Sequence, residues 1–261
     1  MPGIARPNRT RCGAKTGNFG RVRIGSVAAA DNFIAENVKH VCERVARGAA
    51  KSNRRADEIT IVAVSKTFPP ELIERAFEAG LRHFGENRIQ EWEAKRLKIA
   101  YLGAAWHFIG HLQSNKARRA VQLFDCIDSL DSISLAQKLD TAASEEKKRL
   151  PVLIEVHLSE EASKTGAAEK DLRTLGEAVL QLAHLELRGL MTVPPYFDEP
   201  ERARPYFRKL RALRDELASA LGAPLPVLSM GMSHDFEVAI GEGATEIRVG
   251  TDIFGSRPKA G

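Results

Sequence analysis

Acid is missing from the first 30 residues of this 261-residue chain, where Arg6, Arg9, Arg11, Lys15, Arg21 and Arg23 stand without a single Asp or Glu. Those six account for the net charge of +5, because from Asp31 onward 33 cations face 34 acids. The basic character therefore belongs to a tail, and a nucleic-acid-binding body is not indicated. Cysteine is scarce: Cys12, Cys42 and Cys126 lie far apart with no Cys-x-x-Cys pair, which argues against a disulfide framework or a cysteine zinc site and fits a reducing, cytoplasmic compartment. Apolar runs are strand-sized, as at 61–64, and none approaches the ~18–20 residues that a bilayer span needs. With 43% hydrophobic and 28% charged residues, 20 Gly and 12 Pro, the chain has a globular composition, and collagen-like, low-complexity and disordered classes are excluded.

Residues 1–25 have no apolar core of a secretory signal and read as a basic, disordered extension or a start assigned too far upstream. A mitochondrial transit peptide and an RNA-binding arm are the competing readings, the latter without aromatic interleaving beyond Phe19. The globular domain is expected over 26–261. It opens on a helix with Asp31 as its N-cap, Phe33, Ile34, Val38, Val41 and Val45 on its apolar face, and an end near 49–52.

After that helix, short apolar strands alternate with helix-length amphipathic stretches. The strands are read at 59–65, 82–85, 106–110, 126–128, 152–157, 186–192, 227–231 and 246–250. Helix signals lie between them: Pro69 or Pro70 at N1 with Gly80 closing the helix, Ser132 opening another, and a charged helix from Glu201 to Leu221 ending at Gly222. Eight strand–helix units in about 200 residues predict a single (β/α)8 TIM barrel in the α/β class, with an open doubly wound sheet as the alternative. Either architecture collects chemistry at the carboxyl ends of the strands, where Lys66, Glu86, Asn87, His111, Met191, Thr192, Ser233, Gly250 and Thr251 fall.

Three features carry that chemistry. Strand parity puts Thr60, Val62, Val64 and Lys66 on one face. If that face lines the barrel, Lys66 sits at the mouth, where desolvation favours a neutral, nucleophilic amine able to condense with an aldehyde. Taken alone, a strand-end lysine reaching water or a carboxylate is the plainer reading. The segment Ser229-Met230-Gly231-Met232-Ser233 ends a strand in a glycine turn, with Ser233 placed to cap the next helix. With Gly250-Thr251 beside it, free amides and hydroxyls would hold a phosphate; an ordinary cap and turn is the alternative. Arg248 lies within a strand and needs a carboxylate or a ligand; against a pyridine nitrogen it would donate without giving up its proton.

The motifs Val-Ser-Lys at 64–66, His-Phe-Gly-Glu-Asn at 83–87, Trp-His-Phe-Ile-Gly at 106–110, Leu-Gln-Ser-Asn-Lys at 112–116, Gly-Leu-Met at 189–191, Ser-Met-Gly-Met-Ser at 229–233 and Arg-Val-Gly-Thr at 248–251 resemble the YggS / proline-synthetase-co-transcribed family of pyridoxal phosphate homeostasis proteins, over about 31–257. The resemblance implies a barrel of the alanine racemase N-terminal type that binds pyridoxal 5′-phosphate (PLP). It makes Lys66 the Schiff-base lysine, puts Asn87 near the ring or its hydroxyl, sets Arg248 opposite the pyridine nitrogen, and gives the phosphate to Ser229, Met230, Ser233, Gly250 and Thr251. Two departures stand out: the basic tail, and the loop at 159–166, which keeps only Lys164-x-Gly166.

His107 and His111 flank a strand and are read as polar barrel or loop residues, with no metal site expected. Lys116, Arg118 and Arg119, and the arginines between 202 and 214, are read as solvated helix faces. A racemase of the related architecture needs a tyrosine from a second domain. Thr251 stands ten residues from the last residue, and Tyr101, Tyr196 and Tyr206 lie in or beside helices. The expected function is therefore a carrier that buffers or delivers PLP in the cytoplasm and so affects amino-acid and keto-acid balance. Its partners would be PLP, small amines or amino acids, and apo PLP enzymes as recipients, with no nucleic acid or membrane and a monomer favoured. A slow PLP-dependent amino-acid racemase or lyase is the alternative.

Overall fold

The computed structural model describes residues 25–158 and 165–256. The extension expected over 1–25 lies almost wholly outside them, as do Cys12 and Lys164. Eight parallel strands form a closed barrel in sequence order: β1 (Thr60–Val64), β2 (His83–Glu86), β3 (Ala105–Phe108), β4 (Cys126–Leu130), β5 (Leu150–Glu155), β6 (Leu185–Met191), β7 (Val227–Met232) and β8 (Glu246–Val249). Closure comes from β8 pairing with β1, Ala63 opposite Val249. The open doubly wound alternative is thereby set aside.

Helices α1 (Gly25–Lys51), α2 (Pro70–Glu78), α3 (Ile89–Ile99), α4 (Ala117–Leu123), α5 (Ile133–Glu145), α6 (Leu172–Leu180), α7 (Arg204–Leu221), α8 (Phe236–Gly241) and α9 (Thr251–Phe254) surround it. Their local signals act as read. Pro70 is the first residue of α2, Leu135 donates its amide to the Ser132 hydroxyl at 3.4 Å, and α7 stops at Gly222 with φ +60°. The long charged helix is subdivided, a 3-10 turn over Pro200–Ala203 preceding α7.

Two expectations about α1 need correction. The helix begins at Gly25, so residue 31 lies inside it rather than at its start; the run Ala28-Ala29-Ala30 has high helix propensity and carries the helix back past the expected cap. Phe33 is 49% exposed and stands off the buried stripe of Ile34, Val38, Val41, Val45 and Ala49. That stripe packs α1 on α2, α8 and α9, and Asn37 donates to the Ile253 carbonyl at 2.9 Å.

Between barrel and helices lies one continuous apolar layer. Its aromatic part joins α3 to β2 and β3: Trp92 stacks on Trp106 at 3.7 Å between ring centroids, Trp106 on Phe84 at 5.3 Å, and the Trp92 indole donates to the Leu123 carbonyl at 3.0 Å. Inside the barrel polar side chains share the space with Val62 and Met191. His107 Nε2 lies 3.0 Å from His83 Nδ1, and its Nδ1 lies 2.9 Å from Asp128 Oδ2 and 4.0 Å from Glu246 Oε2. The contact between β3 and β8, which are not neighbours in the sheet, can only be made through the interior.

Candidate functional site

β1 delivers Lys66 by a tight turn. Ser65 donates its amide to the Gly85 carbonyl at 3.0 Å and is fully buried, Phe68 closes the turn on the Ser65 carbonyl at 3.2 Å, and Lys66 is half-buried between them. Thr67 holds φ +70°, a region β-branched residues seldom enter. The regular alternation of β1 thus ends at Val64, two residues before Lys66.

The loops after β7 and β8 meet at a single hydroxyl. Ser233 Oγ accepts from the amides of Gly250 and Asp252, each at 3.3 Å. This corrects the expectation that Ser233 caps the helix following it. Asp235 occupies the N-cap position of α8, with its Oδ1 accepting from the Met232 amide at 2.6 Å rather than from an amide of the helix. Ser233 serves α9 instead. Gly231 makes the turn possible: its φ is +93°, and a Cβ there would lie 2.6 Å from the Ala239 Cβ and 2.9 Å from the Phe236 Cα. The amides of Ser233, His234 and Thr251 have no acceptor among the described residues.

Register brings these loops beside the end of β1, two residues before Lys66. Because β1 pairs with β8, Gly250 lies against Val64: a Cβ on Gly250 would sit 3.4 Å from the Val64 Cβ. Thr251 is exposed at the start of α9. Met230 is fully buried in the apolar layer between barrel and helices. Ser229 is fully buried and accepts from Arg248 Nη1 at 2.6 Å.

Arg248 is 4% exposed, and its Nη2 reaches past β7 to the Thr192 carbonyl at 2.7 Å. No carboxylate lies within ion-pair distance of it among the described residues, so the structural pair with Glu246 considered from sequence is not formed. Burial lowers its pKa, against the pull of Glu246, Asp128, Glu155 and Asp235. Glu246 is itself buried, its Oε1 lacking a partner among the described residues, and burial plus the nearby Asp128 push it up to about 7.

Asn87 follows β2 and is half-buried beside a cavity of about 370 Å³ that Arg88, His111, Gln113 and Lys116 also line. Gly110 permits the approach, since a Cβ there would stand 2.5 Å from the Asn87 carbonyl oxygen. The motif at 112–116 therefore belongs to the mouth, and Lys116 faces this cavity rather than a purely solvated helix face. His111 is exposed and lies 3.3 Å from Asp131.

Sequence reasoning missed the buried partners below and beside this rim. His107, Asp128 and Cys126 form a compact group, the Cys126 thiol donating to Asp128 Oδ1 at 2.8 Å. Lys95, Glu86 and Glu91 form another, described below. A usable signal existed for the second: Lys95 occupies the stripe of Ile89, Trp92 and Ile99 on α3.

The family model for the alanine racemase N-terminal domain matches residues 37–258. A pyridoxal phosphate homeostasis protein of Aquifex aeolicus is 44% identical over 222 residues, covering 85% of this chain and 97% of that one. A protein of the same description from Pseudomonas aeruginosa is 44% identical over 224 residues, covering 86% and 96%. Among solved structures, PipY of Synechococcus elongatus with PLP bound superposes with a TM-score of 0.75 at 39% identity, over 85% of this chain and all of that one.

Proposed function

The chain belongs to the alanine racemase N-terminal domain family, its curated relatives being pyridoxal phosphate homeostasis proteins, and on that premise we propose that it binds PLP at the barrel mouth and serves PLP homeostasis in the cytoplasm. The observation that carries the reading is the convergence of three strand ends: β7 and β8 joined through Ser233, and β1, with Lys66 two residues beyond it, paired to β8.

The residues present fit the group. Three amides without acceptors among the described residues and the Ser233 hydroxyl make a donor set suited to a phosphate, and Gly231 and Gly250 let the loops that carry them pack against α8 and the end of β1. In this reading Ser229, Met230, Ser233, Gly250 and Thr251 hold the phosphate, Lys66 holds the aldehyde end, Asn87 flanks the ring, and Arg248 meets the ring nitrogen. When bound, PLP supplies an aldehyde with which a lysine amine condenses and a pyridine ring that withdraws electrons. Arg248 retains its proton even with a burial-lowered pKa, so it offers a hydrogen bond and withholds the proton that would make the ring a strong electron sink. That electrostatic choice suits storage and delivery better than turnover, with small amines or amino acids and apo PLP enzymes as the exchanging partners. Among the described residues no helix is long and apolar enough to cross a membrane.

Purified protein mixed with PLP should turn yellow, and borohydride should fix the cofactor's mass to the peptide containing Lys66. Lys66→Ala should abolish both. A colourless preparation that cannot be loaded with PLP would refute the proposal.

A further inference from the structure

A cation on the buried stripe of a helix calls for an explanation. On α3 the buried residues are Ile89, Trp92, Lys95 and Ile99, and Lys95 is 8% exposed. All three of its donors are engaged: with the Ser65 carbonyl at 3.0 Å, Glu86 Oε1 at 3.0 Å and Glu91 Oε1 at 2.6 Å. Glu86 Oε1 also accepts from the Ser65 hydroxyl at 2.7 Å, and Glu91 Oε1 from the Thr67 amide. The residues on either side of Lys66 are thus fastened to one ammonium–carboxylate group.

That group is a poor choice for stability alone. Glu86 is fully buried with Oε2 lacking a partner among the described residues. Taking such ions out of water is often less favourable than filling the same space with apolar side chains. Thr67 adds a second cost: a β-branched residue at φ +70° persists only where its surroundings over-determine it. Thr67 is the residue after Lys66, and the Glu86–Lys95 group bonds Ser65, the residue before it.

We infer that Lys95 and Glu91, with Glu86, are positioning residues for Lys66: they hold the backbone of 65–67 in the turn from which the Lys66 amine meets the aldehyde of PLP. The inference rests on the reading of Lys66 given above. Lys95 fixes Ser65 by its carbonyl, Glu91 fixes Thr67 by its amide, and the Lys95–Glu91 contact locks the two anchors together. Lys66 is left with little backbone freedom to lose when PLP is captured.

Four variants of the full chain test this: Lys95→Met, Glu91→Ala, Glu91→Gln and, as a control on the same helix, Lys98→Met at the exposed pair with Glu71. Three readouts apply: PLP dissociation constant, borohydride trapping on Lys66, and amide hydrogen exchange of residues 65–68 in the cofactor-free protein. Lys95→Met and Glu91→Ala should weaken PLP binding about tenfold or more and speed exchange at 65–68, as loss of the partners of a functional side chain does elsewhere. Glu91→Gln, which keeps an acceptor for the Thr67 amide, should recover most of the affinity, and Lys98→Met should change nothing. If Lys95→Met and Glu91→Ala fold and bind PLP within about threefold of the parent, the group is structural only and the inference is wrong. Should Lys95→Met fail to fold, the Gln and Ala variants at Glu91 decide, equal affinities counting against it. Failure of the parent itself to trap PLP on Lys66 would refute the functional reading instead, a result the variants cannot mimic.

Discussion

Ser233 and Gly250 are joined by a 3.3 Å hydrogen bond from the Gly250 amide to the Ser233 hydroxyl, which ties the loop after β7 to the first turn of α9. Removing that hydroxyl in Ser233→Ala should cost about 1 kcal/mol as a lost helix cap. If the hydroxyl also holds the phosphate, PLP affinity should fall about tenfold, equivalent to about 1.4 kcal/mol. Fluorescence titration with PLP and thermal melting of the cofactor-free protein separate the two effects. A lower melting temperature with unchanged affinity would confine Ser233 to capping.

The interior histidine gives a pH signature. Burial alone would lower the pKa of His107, but Asp128 at 2.9 Å and the nearby Glu246 outweigh it and push the imidazolium up to about 9. The unfolded chain releases this proton near 6.5, so the stabilisation is complete below that pH and is lost as the pH climbs through 9. Melting temperature should therefore fall between about pH 7 and 9, by an amount on the order of 2 kcal/mol or roughly 4–8 °C for a chain of this size. His107→Gln should flatten that segment of the curve. A parent protein with no slope there would mean a neutral His107 in the native state.

Gly231→Ala should destabilise by about 2–3 kcal/mol, through a positive φ and a Cβ 2.6 Å from that of Ala239. Urea unfolding followed by circular dichroism measures this, and a loss under about 0.5 kcal/mol would show that α8 yields more easily than its packing implies.

Glu242 is 4% exposed and receives Arg204 at 2.8 Å, Arg208 at 3.2 Å and Arg211 at 3.5 Å. Burial tends to raise its pKa, but the arginines prevail and hold the carboxyl below its ordinary value. Glu242→Gln should cost about 1–3 kcal/mol near neutral pH and leave PLP binding intact. The difference from the parent should shrink as acid protonates Glu242, and a difference constant down to pH 3 would contradict the ion-pair account.

Eight strands could be located from sequence to within two residues at most of their ends, because each is a short segment with apolar residues facing the helices and lies between helix signals. The placement of Lys66, Ser233, Gly250 and Arg248 was legible for a related reason: all stand at or near strand ends, towards one face of the barrel. Side-chain partnerships were not legible. Ser233 accepts from Gly250 and Asp252 rather than from its own helix, an outcome settled by the closeness of two loops rather than by either sequence. The α7 arginines were read as a solvated face, yet three of them converge on Glu242, an acid in the following βα unit. Lys95 was overlooked because charge alone suggests solvent; its position among Trp92 and Ile99 says otherwise.

The pairing of β8 with β1 leaves the sheet with neither a first nor a last strand. Every rung of the ladder is satisfied within one chain, so no other polypeptide can lengthen it by adding a strand of its own. Among the described residues, the surfaces open to self-association are helix flanks and rim loops. A crowded compartment would then endanger it chiefly before closure, while the terminal strands still wait for one another.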